Sequence, residues 1–96
     1  MTEKRGAGRP TSLTPEVESR VLEALRGGNF RETAALYAGV SPSTLRAWMK
    51  RGQQEPRSEY GDFRRRAREA EQAAQIRAVA LVLKAAAEDA KHAEWW

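Results

Sequence analysis

Residues 29–52, NFRETAALYAGVSPSTLRAWMKRG, constrain the fold of this chain most, because signals to start and stop helices alternate within them at close spacing. Asn29 is an N-cap residue type, and Glu32, three residues on, completes a capping-box pattern. Ala34, Ala35 and Ala38 give the first helix a small-residue face that another helix can approach closely. Gly39 falls where a left-handed turn residue ends a helix, and Val40 is placed to plug the turn. Ser41-Pro42 then supplies a hydroxyl cap followed by proline at the first helical position. In the second helix Leu45, Trp48 and Met49 share one face, with Trp48 as its packing anchor. Ser43, Thr44, Arg46, Ala47, Lys50 and Arg51 occupy the other faces. Any small helical bundle contains a helix, a glycine turn and a helix. Small residues before the glycine, an apolar residue after it and a short, polar, basic second helix together point to a helix-turn-helix that enters a DNA major groove.

The flanking sequence extends this unit. Thr14-Pro15-Glu16 starts an earlier helix with a cap, an N1 proline and an acid near the positive end of the dipole. Val17, Val21, Leu22 and Leu25 form its buried stripe, and Gly27-Gly28 ends it. Phe30 and Tyr37 are expected to fill the remaining core of the three helices; the Tyr37 hydroxyl could alternatively meet a phosphate. Residues 53–57, QQEPR, read as a linker broken by Pro56. From residue 58 the pattern is helical, with no proline, and no glycine after Gly61. Phe63, Ala67, Ala70, Ala74, Leu81 and Ala85 follow one side of it, and Ile76, Val79, Ala80 and Leu83 a neighbouring one. So broad an apolar arc predicts one long helix, or two with a bend near Gln75, packed against other copies of the chain. The alternative is a helix folded back on its own domain. Arg64, Arg65, Arg66 and Arg68 are either a solvated face paired with acids such as Glu69 and Glu71 or a second phosphate-contacting patch. The expected class is all-α: a basic arm (1–12), a helix-turn-helix domain (13–52), the linker, and a helical oligomerisation segment (58–96).

Charge distribution supports a polyanionic partner. The formal net charge is +4, and residues 1–58 hold ten of the 17 Lys/Arg against six of the 13 acids. Residues 59–96 hold seven of each, as suits a helix made for protein contacts. The arm MTEKRGAGRPTS has no periodicity and reads as disordered. Its Gly8-Arg9-Pro10, preceded by Lys4 and Arg5, is similar to the core of an AT-hook, which follows the floor of an A·T-rich minor groove. A tail that touches only phosphate, or nothing, is the plainer account.

Enzymatic chemistry has little footing. The chain has no cysteine and one histidine, His92, which excludes thiolate and His-based metal clusters. No glycine-rich loop followed by Lys-Ser/Thr offers a nucleotide site. No apolar run is long enough to span a membrane and no secretory leader is evident, so a cytoplasmic protein without cofactors is expected.

The ordered set Gly8-Arg9-Pro10-Thr11, Leu13-Thr14-Pro15-Glu16, Ala34-Ala35, Ala38-Gly39-Val40-Ser41, Leu45-Arg46-Ala47-Trp48 and Tyr60…Phe63 resembles the phage terminase small-subunit-like proteins. The resemblance runs over about residues 8–96. It implies a non-enzymatic packaging factor that binds double-stranded viral DNA, assembles as a ring or other homo-oligomer through residues 58–96, and presents DNA to a large terminase subunit. A phage or bacterial transcriptional regulator, dimeric on a palindromic operator, is the second reading. The residues expected at DNA are Arg5, Arg9, Ser41, Ser43, Thr44, Arg46, Ala47, Lys50 and Arg51, with Arg57 a further phosphate candidate.

Overall fold

The structure, a computed structural model, describes residues 12–93, with side chains described as far as residue 90. It is all-helical over that span. Helix α1 is Pro15–Arg26, α2 is Arg31–Ala38, α3 is Pro42–Gln54 and α4 is Glu59–Ala93. The basic arm, with Arg5 and Arg9, and the His92 side chain lie outside the described residues.

Local chemistry accounts for most of the helix ends. Thr14 Oγ1 accepts from the Val17 amide (3.2 Å), and Pro15 opens α1. Ser41 Oγ accepts from the Thr44 amide (3.1 Å) ahead of Pro42 in α3. Ser58 Oγ accepts from the Tyr60 and Gly61 amides (both 3.2 Å) and so caps α4. Helices α1 and α2 end alike, with a left-handed glycine at Gly28 (φ 91°) and Gly39 (φ 84°). In each turn the amide after the glycine reaches back five residues, Asn29 to Ala24 (3.2 Å) and Val40 to Ala35 (3.0 Å).

The expected Asn29–Glu32 capping box does not form. The N-cap position of α2 is Phe30, which has no side-chain cap bond, and Asn29 Nδ2 instead donates to the Ala24 carbonyl (2.9 Å). The left-handed turn at Gly28 holds Asn29 against the end of α1, so its side chain completes the helix it follows.

One core serves all four helices. Val17, Val21, Leu22 and Leu25 of α1 meet Ala34, Ala35 and Ala38 of α2, Leu45, Trp48 and Met49 of α3, and Phe63, Ala67 and Ala70 of α4. Phe30 and Tyr37 are not in it: Phe30 is 82 % and Tyr37 53 % exposed. The reason is spacing. The α2 alanines let α2 sit too close to its neighbours for a large side chain, and the central aromatic is Phe63, with no exposed surface. Phe63 meets Trp48 edge to face, with centroids 6.1 Å apart and planes at 88°.

Helix α4 is one continuous helix through Gln75 rather than two. It lies on its own domain only over its first half; Arg77 still donates to the Arg26 carbonyl at the end of α1. Beyond this it projects, giving the molecule a longest dimension of 73 Å against 28 and 19 Å.

The close approach of α4 to α3 rests on Gly52. A Cβ there would collide with the Tyr60 carbonyl and meet the Arg64 Cβ at 2.9 Å. Helix propensity alone favours alanine over glycine by about 1 kcal/mol, but a backbone collision outweighs it. Gly52→Ala should therefore destabilise the domain by about 1–3 kcal/mol. Urea denaturation would show a lower midpoint; a higher midpoint would show that α4 does not sit this close.

Candidate nucleic-acid interface

Helix α3 has two faces. Leu45, Trp48 and Met49 are buried, with Gly52 beneath them against α4. Ser43, Arg46, Ala47, Lys50 and Arg51 are all exposed. The helix contains no acidic residue, so its open face is cationic without internal neutralisation. Arg46 and Lys50 stand one turn apart at its centre, and no ion pair joins either to an acid among the described residues.

The other expected contact residues have structural attachments. Ser41 and Thr44 are half-buried, with their hydroxyls 2.9 Å apart, and Ser41 is committed to the α3 cap. Arg51 lies over the Tyr60 ring, 4.5 Å from its centroid, and its Nε donates to Glu55 Oε1 (3.4 Å). It therefore braces α3 against α4 while remaining exposed. Arg57 is exposed in the loop between these helices. Tyr37 donates to Glu23 Oε1 (3.0 Å), and that hydrogen bond, reinforced by the carboxylate charge, raises the phenol pKa above its ordinary value. The hydroxyl thus ties α2 to α1.

The arginine cluster of α4 splits by partner. Arg66 donates to Glu18 of α1 (2.5 Å) and Arg65 to Asp62 (3.1 Å). Glu71 receives the forked guanidinium of Arg31 from α2, at 2.7 and 2.9 Å. These hydrogen bonds raise the pKa values of Arg31 and Arg66 further above their already high ordinary value. Glu71 is thus used by α2, not by its neighbours in sequence. The Arg66–Glu18 pair joins residues 48 apart, a separation at which sequence spacing carries no signal.

Among the described residues no group of three or more His, Cys, Asp or Glu could hold a metal ion. No described helix is long and apolar enough to cross a membrane. No protein-family model, curated protein or solved structure matches the chain.

Because the Ser41 hydroxyl is committed to the cap, Ser41→Ala should cost about 1 kcal/mol of stability. Ser43→Ala, on the open face of the same helix, should leave it nearly unchanged. Thermal denaturation of the two variants side by side measures the difference, and equal melting temperatures would refute the capping role.

Proposed function

We propose that this chain is a sequence-recognising DNA-binding protein in which α2 and α3 act as a helix-turn-helix and α3 enters the major groove. The observation that carries this reading is the acid-free, exposed face of α3 set on a fully packed back. A helix held rigidly from behind can present side chains to base edges with little ordering cost. Arg46 is the base reader, because its planar fork can grip the O6 and N7 of a guanine together. Lys50, a compact point charge, contacts phosphate.

The biological role we favour is that of a phage terminase small subunit, which binds the viral genome to initiate packaging and works beside a large terminase subunit. The distal half of α4 favours it over a dimeric regulator. Residues 78–83, AVALVL, contain no polar side chain and cover more than a full turn, so this stretch is apolar on every side. Val79, Leu81, Val82 and Leu83 are each more than half exposed in the single chain. A helix apolar all round needs neighbours on more than one side. Other copies of this chain are the fitting occupants. Residues 77–94 carry three Lys/Arg (Arg77, Lys84 and Lys91) and three acids (Glu88, Asp89 and Glu94), so neighbouring copies can pack side by side without net repulsion. A groove of about 680 Å³ connects this stretch to the domain, lined by Leu25, Phe30, Ala74 and Ala78 on its apolar side and by Arg31, Glu32, Glu71 and Gln75 on its polar side.

Two experiments test this reading. In a salt titration on duplex DNA, neutralising about four to six phosphates gives a log–log slope of about −4 to −5. Arg46→Ala should cost about 1–3 kcal/mol on a preferred site and blunt discrimination, whereas Lys50→Ala should weaken all sequences alike. Affinity indifferent to salt would sink the proposal, and equal losses on preferred and random DNA would move Arg46 to the phosphate class.

Native mass spectrometry addresses assembly. The parent chain should form species larger than a dimer, and the double variant Val79→Glu, Leu83→Glu should be a folded monomer with much weaker DNA binding. A parent that stays monomeric at tens of micromolar would remove the support for packaging.

A further inference from the structure

Arg64 and Arg68 differ from the arginines between them. Arg65 and Arg66 are tied to Asp62 and Glu18, but no ion pair joins Arg64 or Arg68 to an acid among the described residues. They stand one turn apart on α4, where two like charges repel and destabilise a helix unless an anion relieves them. Both line a cleft of about 420 Å³ together with Gly52 and Gln53 of α3. Arg65 and Glu69 line it as well, and these two are themselves one turn apart on α4.

The position of the cleft relative to α3 is the decisive point. Gly52 lies on the packed back of α3, and the Arg64 Cβ is one of the atoms a side chain there would strike. Gln53, the next residue, lies round the helix towards Arg46 by the spacing i, i+7. A continuous polar strip therefore runs from Arg46 and Lys50, through the Gln53 amide, to Arg64 and Arg68. The last two flank the C-terminal end of α3. When a helix lies in a major groove with its N-terminal residues towards the bases, its far end approaches the sugar-phosphate backbone.

We propose that Arg64 and Arg68, with Gln53, form a second contact with DNA phosphates beside the groove-facing surface of α3. This rests on the DNA-binding reading above and adds a separate contact to it. Guanidinium groups suit the task because their forked donors match phosphate oxygens in pairs. Gln53 supplies a neutral donor between the two helices. The contact carries no sequence information; it fixes how α3 is docked.

The test is a salt titration of the parent and of the double variant Arg64→Gln, Arg68→Gln on one duplex of about 25 base pairs. Loss of two phosphate contacts should make the log–log slope shallower by about 1.8, at slope −0.9 per phosphate. The loss should be equal on preferred and random sequences. Arg65→Gln should leave the slope unchanged, and Arg64→Lys with Arg68→Lys should keep most of it. Should the Gln variant not fold, the Nε–Hε signals of Arg64 and Arg68 in the parent can be followed by NMR as duplex is added. Their shift would support the contact, and unmoved signals would overturn it. An unchanged slope in a folded Gln variant overturns it too, whether or not that variant loses self-association to an acidic surface of another copy. A parent that does not bind DNA would overturn the DNA-binding reading first, which separates the two failures.

Discussion

The seating of α4 on α3 is the contact on which the rest of the molecule depends. Two features make it possible: the missing side chain at Gly52, which admits the Tyr60 backbone, and the edge-to-face meeting of Trp48 with Phe63. Phe63 is the largest fully buried side chain of the core, and it fills space that α2, which contributes only alanines, leaves open. A unit built from α1–α3 alone would be small even for an independent domain. The same contact seals the back of α3, leaves its cationic face open, and brings Arg64 and Arg68 alongside. A single packing event thus shapes both the stability of the fold and its candidate interface.

Charge is used economically along α4. Arg66 fastens α4 to α1, Arg65 is satisfied locally by Asp62, and Arg77 closes the C-terminal end of α1 by donating to the Arg26 carbonyl. Glu71 holds the start of α2 through Arg31. Most of these groups are partly exposed, so each pair is individually weak. Their collective effect is geometric, since two separate helices, α1 and α2, are pinned to one rod. Arg64 and Arg68, which no ion pair joins to an acid among the described residues, lie beside α3.

Helix starts at Thr14-Pro15 and Ser41-Pro42 and the stop at Gly39 were legible in the sequence because each is decided within four or five residues. The exposure of Arg46 and Lys50 was legible for a related reason: once Leu45, Trp48 and Met49 face inward, helical phase fixes the rest. The errors concern choices between near and distant partners. Asn29 could cap α2 or close α1, and the geometry at Gly28 selects the second. Phe30 and Tyr37 were expected to fill the remaining core of the three helices, but the space belongs to Phe63, which arrives from another helix. The division of the α4 arginines was equally hidden, since Glu18 and Arg31 come from far along the chain.

The unbroken course of α4 has a geometric consequence of its own. An unbroken helix of 35 residues transmits rotation as well as distance. Each residue inserted between Ala70, seated in the core, and Ile76, at the start of the projecting part, would advance the rod by about 1.5 Å and turn it by about 100°. The azimuth of the projecting apolar surface about the rod is therefore locked to the azimuth of the α3 face. Length changes in this span would preserve the domain yet re-aim one surface relative to the other, so that the spacing behaves as a gear setting. Insertions of seven residues, close to two whole turns, would be the first to restore the original alignment.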